Sequence, residues 1–299
     1  MEGLSIFIEQ PVRLLQIIVD GILVGSVFAL SAYGLALVWG VMKIINLAQG
    51  EFVMLGGYVA ILIADAGYSP LLGVPLAAMI LFCVGWVLYR LVIFRVVDRD
   101  LFISILATFG LSILLQQLAN QVFGADVRTA ESGLVTMSFL DGNITISQIK
   151  LLSFFLAFAL GGGLWLFLRS SQLGQAIRAT AQNARAARIM GIDTNSVYAV
   201  TYGLNAAICG AAGALVAMTW VIHPYLGLTY TVRSFMIVVV AGLGNLMGVI
   251  LAGLGLGTAE NIAGFVLGAE YQAAFVFSLL VVILVWRNWR LGLQRRYLK

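Results

Sequence analysis

The sequence predicts an all-α integral membrane protein of about eight to nine transmembrane helices, two of them broken or short and set in a pseudo-repeat arrangement. Three observations carry that prediction. Of 299 residues, 62% are hydrophobic and only 10% charged, where a soluble globular domain is about half apolar and a quarter charged; mean hydropathy is +1.03. Apolar runs of about 20 residues, the length a helix needs to cross a bilayer, recur from end to end. Polar, glycine-containing stretches interrupt two of these runs, one in each half: "NLAQGE" at 46–51 and "AGLGNLMG" at 241–248.

In chain order, the opening "MEGLSIFIEQPVRLLQ" carries Glu2 and Glu9 and lacks a basic leader region, so it does not read as a cleavable signal peptide. Apolar stretches then fall at 14–40, 52–64, 70–94, 101–123, 149–168, 197–222, 232–244, 247–267 and 273–288. The pieces 52–64 and 232–244 would each cover only about 20 Å of a roughly 30 Å hydrocarbon core, which marks them as short, broken or re-entrant helices. No stretch is polar enough for a separate soluble domain, and residues 1–299 read as a single transmembrane domain.

Positive charge sets the orientation. With the amino terminus outside and alternate crossings, one side collects thirteen basic residues: Lys43, Arg90, Arg95, Arg99, Arg169, Arg178, Arg185, Arg188, Arg287, Arg290, Arg295, Arg296 and Lys299. The other side holds four: Arg13, Arg128, Lys150 and Arg233. This predicts a multi-pass protein with a periplasmic amino terminus and a cytoplasmic carboxyl terminus, Trp286 and Trp289 lying in the interfacial belt. Of the two long loops, 124–148 falls outside and is mildly acidic and rich in turn formers. The other, 169–196, falls inside; it is basic, alanine-rich and free of proline, the composition of one or two short surface helices.

Several chemistries are excluded or left without residues. None of the three lysines follows a glycine, so there is no phosphate-binding G-x4-G-K-[ST] loop. One histidine (His223) and two dispersed cysteines (Cys83 and Cys209) in apolar runs argue against a metal site and a disulfide framework. No catalytic residue, metal, cofactor or nucleic-acid partner is expected. His223-Pro224 reads as a helix terminus with an interfacial imidazole.

Polar groups at membrane depth must face protein or a wet cavity. Glycines at near-helical spacing (Gly244, Gly248, Gly253, Gly257) read first as tight helix packing. Asn46, Gln49, Asn245 and Asn261 are open to two readings, interhelical hydrogen bonding or lining of a path. Glu51 and Glu260 are harder to explain as packing, because a carboxylate in lipid needs water, a proton or a partner; Asp20 reads as interfacial. The translocation path is expected at Asn46, Gln49, Gly50, Glu51, Gly244, Asn245 and Glu260, with the 46–51 interruption as a helix break lining it.

"INLAQGEFVMLGGY" resembles the N-x-A-x-G-E…G-x-Y signature of the permease subunits of bacterial ABC importers for branched-chain and other hydrophobic amino acids. "AGLGNLMGVILAG" is similar to their second glycine motif, with Ala241 in place of its first glycine, and "HPYLG" (223–227) to their outer turn. The resemblance extends to "ATFGLSILLQQ" and "IRATAQNARAARIMGID" and covers essentially the whole chain.

The resemblance implies an alternating-access permease in the bacterial inner membrane. Its implied partners are a homologous second permease, two cytoplasmic ABC ATPase subunits and a periplasmic substrate-binding protein that meets the outer face, the 124–148 loop included. It also implies that 169–196 docks on the ATPase: "RAARIMG" matches the degenerate EAA-xxx-G loop of importer permeases, with Arg185 where the glutamate would stand. Ala186, Ala187 and Gly191 would let a short helix seat closely, and Arg178, Arg185 and Arg188 would supply charge. "TFGLSILLQQLANQVFGA" and "SFMIVVVAGLGNLMG" are also similar to the related urea and short-amide permeases, so a small amide is the alternative cargo. The rival of a different class is an ion-coupled secondary transporter, whose coupling carboxylates would have to be Asp20, Glu51 or Glu260, read here as unpaired. A channel would lack an obvious filter or charged ring.

Overall fold

The computed structural model describes residues 11–139, 144–242 and 244–297, and within them the chain is almost entirely helical. The opening decapeptide, read above as lacking a leader, lies outside the described residues, as do 140–143, Leu243, Leu298 and Lys299. Among the described residues there are eleven α-helices: α1 (Pro11–Met42), α2 (Gln49–Asp65), α3 (Gly73–Leu91), α4 (Leu101–Phe123), α5 (Gln148–Ser170), α6 (Gln172–Gln182), α7 (Ala184–Ile189), α8 (Thr194–Thr219), α9 (Gly227–Ala241), α10 (Leu246–Leu267) and α11 (Gln272–Tyr297).

Among the described residues, seven helical segments are long and apolar enough to cross a membrane, and α9 is a shorter apolar helix. With 17-residue α2, this agrees with the expected eight to nine crossings, two of them short. At 1.5 Å per residue, α1 is about 48 Å long whereas α2 and α9 reach only about 25 and 22 Å. The basic residues Lys43, Arg90, Arg95, Arg99 and Arg178, in turns or near helix ends, fall where alternation predicts, at one end of the bundle, called the basic end below.

Loop 124–148 contains an element not anticipated from composition. Strands β1 (Thr136–Phe139) and β2 (Ile144–Ser147) pair antiparallel, Thr136 opposite Ser147 and Met137 opposite Ile146. The signal was present as apolar-polar alternation on either side of "LDGN", a short run of turn formers. Thr145 fastens the hairpin to α1 by accepting from the Gln16 amide at 2.9 Å. Upstream, Arg128 and Ile222 exchange backbone hydrogen bonds of 2.9 and 2.7 Å, tying the loop to the end of α8. The other long loop, expected to hold one or two short surface helices, forms two, α6 and α7.

Helix α8 is the axle of the bundle. Its candidate span is 78% buried, where the spans of α3, α4 and α5 are only 22–28% buried, as suits lipid-facing helices. Small residues allow that burial: Gly210 backs onto Gly56 of α2 on one side and onto Ala77 and Leu81 of α3 on the other. A second close pair joins α1 and α10, where Gly25 meets Gly253 and Leu254, and Gly257 meets Gly21 and Gly25. In lipid, association rests on such van der Waals contact, since burial from lipid gives little hydrophobic gain.

A methyl group on Gly213 would overlap the Val53 carbonyl and approach Gly57 N to 2.9 Å, whereas one on Gly255 would meet nothing within 4 Å. Gly213→Val should therefore lower stability in detergent by about 1–3 kcal/mol or more, and Gly255→Ala should leave it unchanged. Thermal unfolding of the two purified variants checks the contrast.

Candidate functional site

Helix α1 stops at Lys43, whose φ of 57° is left-handed and rare for a side chain other than glycine. Residues 44–48 then run without regular helical hydrogen bonding before α2 begins, with Ile44, Asn46 and Ala48 buried and Ile45 and Leu47 half-buried. Side chains replace the missing backbone partners. Thr108 of α4 places its hydroxyl 3.0 Å from the Ile45 carbonyl, to which it donates, and accepts from Leu47 N at 3.2 Å. Thr231 of α9 donates to the Leu47 carbonyl at 3.2 Å and accepts from Gly50 N at 2.9 Å. Ala48 N donates to Asn46 Oδ1 at 3.2 Å, and the Tyr202 hydroxyl donates to the same oxygen at 3.2 Å. The Gln49 amide donates to the Ser31 carbonyl at 2.8 Å.

Glu51 lies beside this break, 1% exposed, accepting from the Ser112 hydroxyl at 2.9 Å through Oε1 while Oε2 has no partner among the described residues. Ser112 is the twelfth of 23 residues in α4, so the carboxylate sits near mid-depth. A Cβ on Gly227 would collide with that carboxylate. Glu51 therefore occupies the first turn of α2 and abuts the first residue of α9, so two helix amino termini flank one acidic group, the arrangement their dipoles favour. Asn46, Gln49, Gly50 and Glu51 are thus brought together, and in this structure they face packed protein.

A cavity of about 440 Å³ opens at the end opposite the basic one, between α1, α9, α10 and the 220–226 turn. Glu260 of α10 lines it, bound to Arg233 of α9 through both oxygens, Nε to Oε2 measuring 3.0 Å. The guanidinium stacks over Phe28 at 4.8 Å and near Tyr230 at 5.6 Å. Asp20, at the same cavity, takes two hydrogen bonds of 2.9 Å from Lys150. This corrects the reading of the three carboxylates as unpaired: Asp20 and Glu260 each hold a cation. Arg233 was counted only as a loop charge. The missed signal is a lone arginine just inside a short apolar run, which needs a buried acid.

At the basic end, Gly244 lines a second cavity of about 270 Å³ with Gly40, Lys43 and Arg178. Asn245 caps α10 by accepting from Gly248 N at 3.1 Å. Of the residues expected to dock a partner, Arg178, Arg185 and Ala186 are exposed, whereas Ala187 is buried against the bundle. Arg188 donates to Asp98 at 2.8 Å and to Thr194 at 2.7 Å, which ties α7 to the α3–α4 turn and to α8. Asp193 caps α8 through Asn195 N and Ser196 N, and its hydrogen bonds from Ser196 hold its carboxyl below the usual range. Gly191 carries a φ of +86° that ends the α7 turn. Ile189 and Met190, which sequence reasoning did not single out, project at 79% and 81% exposure.

The family model described as "Branched-chain amino acid transport system / permease component" matches residues 17–284. The chain belongs to that family. Among curated relatives, the high-affinity branched-chain amino acid transport system permease protein BraD of Pseudomonas aeruginosa is 33% identical over 288 residues, covering 91% of this chain and 94% of BraD. The corresponding protein LivH of Escherichia coli is 31% identical over 293 residues, 93% and 94% of the two chains. Among solved structures, PsaBC from Streptococcus pneumoniae in complex with Fab covers 94% of each chain at 12% identity and a TM-score of 0.49, too distant a likeness to carry an argument. In this permease, then, the motif that carried the resemblance, "INLAQGEF", is the hydroxyl-paired break and its acidic neighbour.

Removing the Thr231 hydroxyl strands one backbone N–H and one carbonyl in a medium without water, at a cost of about 1–3 kcal/mol each. Thr231→Val should lower the thermal stability of the purified permease well below that of Thr231→Ser, which retains the hydroxyl. Equal melting of the two variants would contradict the pairing.

Proposed function

We propose that this permease is the membrane subunit of an ATP-driven importer that moves branched-chain or other hydrophobic amino acids across the inner membrane by alternating access. The observation that carries the reading lies along one ridge of α1, the row of residues four apart that winds slowly around the helix. Asp20, Val24 and Phe28 line the cavity at one end, and Ala36 and Gly40, continuing the same four-residue spacing, line the cavity at the other. Between them Ala32, the next residue on that ridge, is completely buried. A ridge with a cavity at each end and a sealed residue between supports a path that opens to one side at a time. Glu260 belongs to its periplasmic part and Gly244 with Asn245 to its cytoplasmic part. The 46–51 break with Glu51 lies behind it, where α2 and α9 must move together.

The basic end is the cytoplasmic face in this reading. ATP is hydrolysed on two separate subunits, since the sequence carries no phosphate-binding loop of its own. Segment α6–α7 docks there: Arg188 holds α7 to the bundle, Arg178 and Arg185 face the partner, and Ile189 with Met190 form an apolar tip that fits a groove. The hairpin side receives the periplasmic binding protein, and a homologous permease completes the membrane pair. The curated relatives support the cargo, being named as branched-chain amino acid permeases.

Gly191 is a poor place to test docking, because its left-handed φ strains any substitute. The combined variant Ile189→Asp with Met190→Asp should leave the permease inserted and folded but lose co-purification of the ATPase and at least about 90% of ATP-dependent leucine uptake in proteoliposomes, as truncation of an interface anchor does. Retained ATPase and full uptake would contradict the docking role. Uptake abolished by ionophores while ATP stays high would favour an ion-coupled transporter instead.

A further inference from the structure

The Arg233–Glu260 cavity holds more charge than packing requires. Its wall carries two carboxylates, Asp20 and Glu260, and two cations, Lys150 and Arg233, so its formal charge sums to zero while both signs remain within it. Of the five N–H donors of a guanidinium, Glu260 takes two from Arg233, and none of the others has an acceptor among the described residues. Glu260 and Asp20 each spend their oxygens on a single cation and keep further lone pairs. Apolar surface adjoins these groups: Val24, Trp220 and Leu226 line the same space, and Phe28 stacks with Trp220 at 6.4 Å between ring centres. At about 440 Å³ the space falls within the range of about 300–1,000 Å³ usual for small-molecule sites.

We infer that this cavity is a recognition site for a zwitterionic α-amino acid with an apolar side chain. Arg233 binds the α-carboxylate through its free N–H edge, Asp20 and Glu260 accept from the α-ammonium group, and the side chain lies against Val24, Trp220 and Leu226. The inference deepens the importer reading and rests on it. The charge balance discriminates among ligands. A zwitterion adds one charge of each sign to a neutral set, so every charge finds a partner, whereas a singly charged analogue leaves one buried charge unmatched. A neutral amide such as urea engages neither the charge pattern nor the apolar wall.

The test reads occupancy without transport. In a Cys83→Ser background, Val221→Cys places a thiol at the rim of the cavity, where Val221 is 46% exposed, and Cys209 stays buried. In the intact complex without nucleotide, the rate of maleimide labelling is followed against L-leucine, L-leucinamide, 4-methylpentanoate and urea. L-leucine should protect at concentrations at least about tenfold lower than either singly charged analogue, the scale of one charged hydrogen-bonded contact, and urea should not protect. In Arg233→Gln with Glu260→Gln, which removes both charges together and leaves neither alone in the interior, that preference should vanish. Equal protection by leucine and leucinamide, no protection by leucine, or an unchanged preference in the double variant would each overturn the site. Because protection is read without nucleotide, whether ATP drives uptake bears only on the importer reading.

Discussion

The pairing of a broken backbone inside the bilayer is the constraint on which the rest of the structure depends. Between Lys43 and Gln49 the chain gives up regular helical hydrogen bonds at a depth where water cannot replace them. The hydroxyls of Thr108 and Thr231 reach in from α4 and α9, each serving one backbone donor and one acceptor. With those bonds made, α1 can end and α2 can begin within the protein, so α2 can be 17 residues long and still be held. The same two threonines fix α4 and α9 to the break, so that three separate parts of the chain converge on Glu51.

Close approach follows from this convergence. Gly50 backs onto Gly227, Gly56 onto Gly210 and Gly213 onto Val53, each without room for a Cβ. These contacts bring the amino termini of α2 and α9 to one carboxylate and leave α8 buried along most of its length. In the proposed mechanism the polar break serves as a joint, where short helices packed through backbone and fastened by a few hydroxyls shift relative to the long α1 without exposing unpaired groups to lipid. A joint beside a ridge with a cavity at each end is what the proposed alternating access requires.

Much of this could be read from the sequence, and the failures have physical causes. Composition and run length gave the helical membrane class. The short reach of 52–64 and 232–244 gave the two partial helices, because hydrophobic length is a local property. The surface helices of 169–196 followed from an alanine-rich, proline-free composition. Pairing across long sequence separation was not readable. Glu260 finds Arg233 twenty-seven residues away, and Asp20 finds Lys150 at a separation of 130, through folding that no local pattern encodes. Asn46 and Gln49 could be picked out as unusual, but only the fold shows that Tyr202 and the Ser31 carbonyl satisfy them. The hairpin at 136–147 was missed because turn composition outweighed two short alternating runs.

The path along α1 is most directly tested by accessibility from each side. In the Cys83→Ser background, Val24→Cys and Gly40→Cys report on its two ends; a Cβ on Gly40 would meet only Gly244 Cα, at an ordinary 3.6 Å. An impermeant thiol reagent is applied to the complex in sealed vesicles, to one face and then the other, at rest and with the ATPases trapped by a non-hydrolysable nucleotide. Alternating access predicts reciprocal change: labelling of one cysteine rises while that of the other falls when nucleotide is trapped. Labelling of both cysteines unchanged by nucleotide, or rising together, would contradict a path that opens to one side at a time.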